Sequence, residues 1–202
     1  MSTILEICNS ALIKLGVEPI TSLDPLVDDS KAARLCAATY EMIRDDLLAS
    51  HYWNFAMKRA TLVVNATGPL YDYSYAYDLP ADSLRIHSLS SNYPFKIEGS
   101  KILTDLENAE VLYISKETDT TLYSSHFTEA YALRLASNLA YALVQSISLS
   151  EKLHALSDNR LRDARSFDGQ EGTPDQLQDD VWLNSRIGGV DGIEPWIGKV
   201  VI

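Results

Sequence analysis

The hydrophobic pattern is clearest in residues 28–56, which predict a long amphipathic helix. Apolar residues recur there at three- and four-residue steps, which places them on one face of an α-helix: Ala33, Cys36, Ala37, Tyr40, Ile43 and Leu47. The opposite face is charged and carries Lys31, Arg34, Glu41, Arg44 and Asp45. Asp28, Asp29 and Ser30 are candidate N-caps. The helix leads into an aromatic cluster at residues 51–55, so we expect it to pack in a core through an aromatic end.

Three other segments also have helical periodicity. Residues 3–15 form an amphipathic pattern in which Thr3 and Glu6 match a capping box and Gly16 follows as a C-cap. A second apolar stripe begins at Phe127 and consists of Ala130, Tyr131, Leu135, Asn138, Leu139, Ala142, Leu143 and Ile147. Residues 149–167 continue as a charged helical pattern with apolar positions at Leu153, Leu156, Leu161 and Ala164. We expect one core to contain Ala33, Cys36, Tyr40, Ile43, Leu47, Leu135, Leu139 and Leu143.

Between these helical segments the pattern is that of β-strands. Residues 60–64 are mostly β-branched or apolar and predict a strand, and Gly68-Pro69 predicts a turn. Four tyrosines then alternate, which predicts an extended strand with one tyrosine face: Tyr71, Tyr73, Tyr75 and Tyr77. Residues 84–89 and 111–114 predict two more strands. Residues 95–97 and 101–103 flank Glu98-Gly99-Ser100, which indicates a hairpin.

The last segment, residues 168–202, differs in composition from the rest. It holds six of the nine glycines, and its seven acidic residues outnumber its two basic ones. This composition is typical of an extended arm and not of a core. The arm also holds two of the three tryptophans, Trp182 and Trp196. Large aromatic side chains on such a segment are typical anchors for a partner, and the alternative is that they fold back onto the chain's own helices.

These patterns predict an α+β fold that is mainly helical. We expect an antiparallel helical bundle with an inserted small antiparallel β module and an extended C-terminal arm. The bundle is built from residues 1–59 and 121–167, the β module from residues 60–120, and the arm from residues 168–202.

Composition narrows the classes of function. The formal net charge is −11, and no dense basic patch of the kind that grips phosphates is present. No apolar run approaches the ~20 residues of a membrane span, and the N-terminus lacks the basic start of a signal peptide. Cys8 and Cys36 both fall on apolar helix faces, which favours two buried thiols of a cytosolic product over a disulfide.

Catalytic motifs are not found in the sequence. His51, His87, His126 and His154 are scattered and have no metal-ligand spacing. There is no glycine-rich nucleotide loop and no GxSxG element. A glycosidase-type pair of carboxylates stays open, because such residues need not be close in sequence. We expect no enzyme, and we assign no catalytic residue, no cofactor and no metal site.

The order of several short segments resembles a known family. These segments are Ile7-Cys8-Asn9-Ser10-Ala11-Leu12 with Leu15-Gly16, Trp53-Asn54-Phe55-Ala56 with Lys58-Arg59-Ala60, Tyr75-Ala76-Tyr77-Asp78-Leu79-Pro80-Ala81-Asp82 with Leu84-Arg85, and Pro94-Phe95-Lys96-Ile97-Glu98-Gly99 with Thr104-Asp105. Their order and spacing over residues 3–167 resemble the head–tail adaptors of short-tailed bacteriophages, which are often called tail tubular protein A.

The resemblance implies a structural protein of the virion, made in the host cytoplasm and placed at the head–tail junction. It implies a ring of probably twelve identical subunits that joins the portal protein to the tail nozzle protein. DNA would pass through the ring without specific binding, and no cofactor or membrane would be involved. The alternatives from other classes are a virion-associated peptidoglycan hydrolase and an acidic helical scaffold outside phages.

Two sets of residues are candidates for partner binding. In the arm, we expect Trp182, Trp196 and Ile197 to be anchors and Arg186 to be a polar contact, on the portal or on a neighbouring subunit. In the β module, we expect contacts with the nozzle or a neighbouring subunit from Tyr73, Tyr75, Phe95 and Ile97. The alternative for the β module is an ordinary small-sheet core.

Overall fold

Four α-helices and two three-stranded antiparallel sheets make up the part of the chain that the computed structural model describes, residues 3–171. The fold is therefore mixed helix and sheet, as the sequence predicts. The arm candidates Trp182, Arg186, Trp196 and Ile197 lie outside the described residues.

Helices α1 (Ile4–Leu15) and α2 (Lys31–Ala49) begin after the capping residues that the sequence indicates, and α1 also ends at the predicted glycine. In α1 the Thr3 hydroxyl accepts the Glu6 amide, and the Glu6 carboxylate accepts the Thr3 amide. Gly16 ends this helix at a positive φ of 70°, a conformation that glycine adopts without strain. Of the three candidates before α2, Ser30 is the N-cap, and its hydroxyl accepts the Ala33 amide.

Helices α3 (Ser125–Val144) and α4 (Ile147–Gln170) follow the strands and are joined by only two residues. Gln145 closes α3 in the left-handed conformation, and the Ser146 hydroxyl caps α4. The sequence placed Ile147 on the apolar stripe of α3, and this is wrong, because Ile147 begins α4 and is 63% exposed. The prediction of a core-facing apolar position at Leu156 in α4 is also wrong, since that side chain is 51% exposed. Helix α4 also continues three residues past the expected start of the arm.

The helices share one core, as the sequence predicts. Six of the eight expected residues are buried in it, namely Ala33, Cys36, Ile43, Leu47, Leu135 and Leu139. Tyr40 and Leu143 are partly buried and pack against it. Cys8 and Cys36 are both buried and unbridged. Arg44 differs from expectation, because the sequence placed it on the charged face and it is only 3% exposed.

The strands lie between α2 and α3 and pair in two sheets. The inner sheet contains β1 (Met57–Thr61), β3 (Ser83–Leu89) and β6 (Glu110–Ser115), in the order β1-β6-β3. The outer sheet contains β2 (Tyr75–Asp78), β4 (Lys96–Glu98) and β5 (Lys101–Thr104), in the order β2-β5-β4. All paired strands are antiparallel.

Two expected strands have different bounds. The first begins at Met57 and ends at Thr61, so Val63 and Val64 lie beyond it and are exposed. The tyrosine strand covers only Tyr75 and Tyr77, because Tyr71 and Tyr73 belong to the loop before β2. The hairpin is confirmed: Gly99 has a φ of 59°, which the tight turn between β4 and β5 requires.

Strand β6 connects two hydrophobic cores. Its Val111 and Tyr113 face a second core between the two sheets, where they meet Tyr77 and Ile102 of the outer sheet. Ile114, on the opposite face of the strand, is buried in the helical core. The inner sheet is thus packed between the helices and the outer sheet. In the described part of the chain, no helix has both the length and the apolar character to span a membrane.

Replacement of Leu139 by alanine should lower the free energy of unfolding by about 2–5 kcal/mol, because Leu139 is fully buried and the change leaves a cavity. Leu156→Ala is the matched control in the neighbouring helix, and this exposed leucine should cost less than about 0.5 kcal/mol. Urea denaturation of both variants measures the difference. Equal losses would remove Leu139 from the core.

Candidate partner-binding surfaces

The four candidates of the β module do not form one exposed surface. Tyr75 and Phe95 are half-buried and pack against the second core, and the Tyr75 ring lies 6.3 Å from that of buried Tyr77. Tyr73 is half-buried in the loop before β2. Ile97 is the one exposed side chain of the four, at 47%. The prediction of an ordinary small-sheet core therefore describes Tyr75 and Phe95, and Ile97 stays a candidate for partner contact.

Exposed apolar side chains do border the outer sheet, mostly at positions outside the four candidates of the β module. Leu70 is 97% exposed and Tyr71 is 75% exposed, and both lie in the loop between residues 65 and 74. Val63 and Val64 are exposed at the approach to this loop. We call the exposed apolar residues that border the outer sheet, Val63, Val64, Leu70, Tyr71 and Ile97, the outer-sheet patch. Its members lie on both faces of the sheet: Leu70 and Tyr71 belong to the loop over the outer face, whereas Ile97 is in the same row as buried Ile102 and Tyr77. The sequence does carry a signal for the exposure of Leu70 and Tyr71, because they directly follow the predicted turn at Gly68-Pro69. Residues next to a turn often have no core to pack against.

Polar contacts hold the loop of the outer-sheet patch in place. The Asp105 carboxylate accepts both the amide and the hydroxyl of Ser74, at 2.8 and 2.9 Å. The Asn65 side chain donates to Asp78 and accepts from Lys101, at 2.7 and 3.1 Å. Because both ends of the loop are fixed to the outer sheet, Leu70 and Tyr71 are presented from a defined position.

Two grooves adjoin the sheets. One, of about 310 Å³, lies between the loop of the outer-sheet patch and the outer sheet, and Tyr73, Lys96 and Lys101 contribute to its lining. The other, of about 560 Å³, is lined by the last residues of β1, the first residues of β6 and the turn after β3. Met57 and Ile114 pack on the helical core from the same face of the inner sheet. The larger groove is therefore the part of this face that extends beyond the helices.

Charged side chains join the sheets to the helices. Arg44 donates through Nε to Asp45 at 2.9 Å, and Asp45 also lies 3.0 Å from the Lys116 amine, just after β6. On β1, the Lys58 amine lies 3.3 Å from the carboxylate of buried Glu117. A buried arginine without its carboxylate is costly. The Arg44–Asp45 pair lies within α2, and the Asp45–Lys116 pair is the ionic contact that links this helix to the end of β6.

The closest arrangement to a catalytic pair involves His51 and Asp168. His51 Nε2 lies 3.4 Å from Asp168 Oδ2, and Asp168 Oδ1 accepts the Asn54 backbone amide at 3.0 Å. The nearby Ser50 hydroxyl donates to the Leu47 carbonyl and accepts from Arg165. It therefore has no proton to give the imidazole. In this geometry the pair attaches the end of α4 to the segment that leads into β1.

The other histidines also have structural neighbours. The His126 ring stacks on Phe167 with centroids 4.1 Å apart, and the His87 ring meets Tyr52 edge to face at 4.5 Å. His154 lies beside Arg134 and 3.8 Å from Asp158. Among residues 3–171, no three His, Cys, Asp or Glu side chains are grouped so as to hold a metal ion.

Comparison with known proteins adds no assignment: no family model matches this chain, and neither does any curated protein.

The partial burial of His51 should make stability depend on pH. Desolvation lowers the pKa of His51, and Arg165 and Arg85 act in the same direction, while Asp168 partly opposes the shift. The unfolded chain therefore binds the proton more readily than the folded one, so stability falls as the pH drops through about 6.5. In His51→Gln this part of the decrease should be absent. Urea midpoints between about pH 5 and 7.5 measure it.

The exposed residue His87 provides the control for this experiment. His87→Gln should keep the pH dependence of the unmodified chain, because the His87 ring lies on the surface. If the curves of His51→Gln and the unmodified chain run parallel, His51 does not couple protonation to folding.

Proposed function

We propose that this chain is the structural subunit of a ring-shaped head-to-tail adaptor, which joins the portal protein of a short-tailed phage to its tail nozzle protein. The observation that carries the proposal is the outer-sheet patch. It exposes large apolar side chains on a fold whose two cores are already filled without them. Leu70 and Tyr71, adjacent in the chain and 97% and 75% exposed, form an apolar surface of the kind that is typical of a contact with another protein.

The architecture that we propose for the subunit is the antiparallel helical bundle with an inserted β module. Helix α3 lies at its centre. The Tyr131 hydroxyl donates to the Tyr40 carbonyl of α2, and the Ser157 hydroxyl of α4 donates to the Ala130 carbonyl at 3.0 Å. The Lys14 amine of α1 lies 3.1 Å from Glu129. Such a bundle is a rigid body on which the inner sheet of the β module packs, and we propose that the arm extends from it.

We propose a ring because the surfaces near the sheets differ in chemistry. The larger groove beside β1 combines polar and apolar side chains and includes Arg59, Thr61 and Glu110, whereas the outer-sheet patch is apolar. Contacts between different surfaces of identical subunits are heterologous, and they close into rings when the rotation between neighbours permits it. The resemblance in sequence supplies the expected number of twelve.

The charge of the described residues fits a passage for DNA that does not retain it. Residues 3–171 contain 15 basic and 23 acidic residues, and 15 minus 23 gives −8. Exposed phosphates are held by clustered Lys and Arg side chains. A wall with an acidic balance repels the DNA backbone, so the duplex can slide past without a specific site.

The proposal is tested by electron microscopy of the purified chain mixed with the portal protein of the same phage. We expect rings of this chain on the portal. A clearing assay on bacterial cell walls tests the hydrolase alternative. Chains that stay single in the presence of portal would contradict the adaptor.

Substitution of the outer-sheet patch should prevent nozzle attachment. Deletion of the hairpin would be a poor test, because it removes buried Ile102 and Leu103 and opens the second core. We instead expect the triple variant Leu70→Ser, Tyr71→Ser and Ile97→Ser to fold and to bind portal, but to bind nozzle protein at least about tenfold more weakly, as for loss of central apolar anchors. Sedimentation of portal-bound rings with nozzle protein measures this.

A matched control for the triple variant is Leu156→Ser, which removes an exposed leucine of α4 and leaves the sheets intact. It should bind nozzle protein as the unmodified ring does. Full nozzle binding by the triple variant would show that the outer-sheet patch is not the nozzle contact.

Truncation should separate the role of the arm from that of the folded part. We propose that the arm holds the portal through Trp182, Trp196 and Ile197, with Arg186 as a polar contact. A chain ending at Glu171 keeps Asp168 and its contact with Asn54, whereas a chain ending at Phe167 would lose it. The chain that ends at Glu171 should keep its thermal stability and lose portal binding. Portal binding at full affinity would assign that contact to the helices or sheets.

A further inference from the structure

The inner sheet has an unpaired edge along β1. Strand β6 pairs with one side of β1, and the Leu62 amide, directly after β1, donates to the Ala109 carbonyl directly before β6 at 2.9 Å. Successive residues of a strand turn their backbone groups to opposite sides. The amides and carbonyls of Met57, Arg59 and Thr61 therefore point away from β6. In the described part of the chain, no backbone group pairs with them.

The same edge accepts a strand farther along the chain. The Val63 carbonyl accepts the Asp78 amide of β2 at 3.2 Å, and the Asn65 amide donates to the Ala76 carbonyl at 2.8 Å. Val63 and Asn65 continue the alternation from Thr61, so they lie on the edge that faces away from β6. Strand β2 thus covers the end of this edge and leaves the part along β1 open.

The outer sheet has an unpaired edge along β4. The bonds of Ala76 and Asp78 to the segment before β2 leave Tyr77 to bond Ile102 of β5. The neighbours of Ile102 in β5 therefore bond β4, and Ile97 turns its own amide and carbonyl outward. Among residues 3–171, no strand lies beyond β4.

Charged side chains decide which edges can meet. They are Lys58 and Arg59 on β1, and Lys96 and Glu98 on β4. Two β1 edges that paired about Arg59 would place two arginines opposite each other, and like charges in that position destabilise a pair of strands. When β1 pairs antiparallel with β4 and Arg59 lies opposite Ile97, Lys58 lies opposite Glu98 instead.

The two charged side chains that would meet are accessible. The side chain of Lys58 is 46% exposed and that of Glu98 is 54% exposed. Lys58 now lies 3.3 Å from Glu117 and 3.7 Å from Asp82, and Glu98 lies 2.8 Å from Lys96. Exposed ion pairs add little affinity, so the contact between Lys58 and Glu98 sets the register of the strands and not their strength.

We propose that β1 of one copy and β4 of the next copy pair as antiparallel strands. The inner sheet of one subunit then continues into the outer sheet of its neighbour. Main-chain hydrogen bonds supply the affinity, as when a peptide adds a strand to a sheet edge. Each copy offers one edge of each kind, so the contact is heterologous and repeats around a ring. The inference rests on the ring of the proposed function and names the contact between its subunits.

Closure of the ring favours this pairing over a contact between two β4 strands. Two β4 strands also match about a two-fold axis through Ile97, with Lys96 of one copy opposite Glu98 of the other. That dimer leaves β1 open in both copies. Pairing of β1 with β4 leaves neither edge open once the ring closes, and open strand edges are what closed assemblies remove.

The pairing also gives the exposed Ile97 side chain a place to pack. Opposite residues of paired strands have their side chains on the same face, so Ile97 of the neighbour lies in line with Arg59 and Leu112. Both residues line the larger groove. Leu70 and Tyr71, in the loop over the outer face of the outer sheet, stay free for the nozzle protein.

The first test cross-links neighbours in rings that are assembled on the portal protein. Opposite residues of an antiparallel pair that exchange no hydrogen bonds lie ~4.5 Å apart at Cα, within reach of a disulfide. A mixture of full chains with Lys58→Cys and full chains with Glu98→Cys should give covalent dimers with diamide as the thiol oxidant. Lys58→Cys mixed with Lys101→Cys, in the central strand β5, is the control and should give none. The natural Cys8 and Cys36 are buried.

The second test removes one main-chain donor. Thr61→Pro deletes an outward amide, and an edge strand tolerates proline where the amide bonds no neighbouring strand. We expect this variant to fold and to need at least about tenfold more protein to form rings on the portal, as for the loss of one hydrogen bond per contact. Thr61→Val keeps the amide and should assemble as the unmodified chain does. Electron microscopy over a concentration series measures assembly, and thermal melting checks folding.

The outcomes separate this contact from the adaptor function. Rings without a cross-link between positions 58 and 98, or rings that form equally well from Thr61→Pro, would overturn the strand pairing and leave the adaptor in place. Covalent dimers that form only from Lys96→Cys mixed with Glu98→Cys would show the two-fold β4 contact instead. If no rings form on the portal, the adaptor fails. In that case, cross-links between positions 58 and 98 in the concentrated free chain support the pairing, and their absence overturns it.

Discussion

The packing of Trp53 is the interaction on which the rest of the structure depends. The Trp53 side chain is fully buried, its Nε1 donates to the Leu47 carbonyl at 2.9 Å, and its ring meets Phe127 edge to face at 5.0 Å. Phe127 in turn contacts Phe55 and Tyr123 at 5.1 and 5.0 Å. Each such aromatic pair adds about 0.5–1.5 kcal/mol beyond the area it buries. The cluster fixes the end of α2 against the start of α3, and β1 begins two residues after Phe55, so the position of the sheets follows from it.

Two polar attachments complete this junction. Asp168 accepts the Asn54 amide and so attaches the end of α4 next to Trp53. Asp45, which pairs with neighbouring Arg44, also pairs with Lys116 and so links α2 to the end of β6. Both depend on the aromatic cluster for their geometry, because Asn54 lies between Trp53 and Phe55, and Asp45 lies two residues before Leu47, whose carbonyl accepts the Trp53 Nε1–H. The sheets are therefore held at the helices by a single region. Any partner that pulls on the outer sheet would act on this region through β6, which contributes side chains to both hydrophobic cores.

The sequence predicts those features that depend on neighbouring residues. The Thr3 capping box, the Gly16 C-cap and the hairpin at Gly99 are each defined within four residues, and all are confirmed. The burial of a side chain that depends on contacts with residues distant in sequence was less predictable. Ile147 continues the period of α3 but follows its left-handed end at Gln145, and Arg44 is buried because Asp45 neutralises it where α2 meets β6. Periodicity measures which residues share a face, and it does not measure what covers that face.

The same limit explains why the candidate surfaces were only partly predictable. Tyr75 and Phe95 looked like surface aromatics in a strand-rich segment, but the inner sheet covers them, whereas Leu70 and Tyr71 remain open because nothing packs over their loop. Lys96 and Lys101 line the groove beside the outer-sheet patch, together with Asp72 and Glu98. The exposure of Leu70 and Tyr71 and the charges beside them both depend on how residues 65–74 fold over the outer sheet, and periodicity within one segment carries no information about that contact.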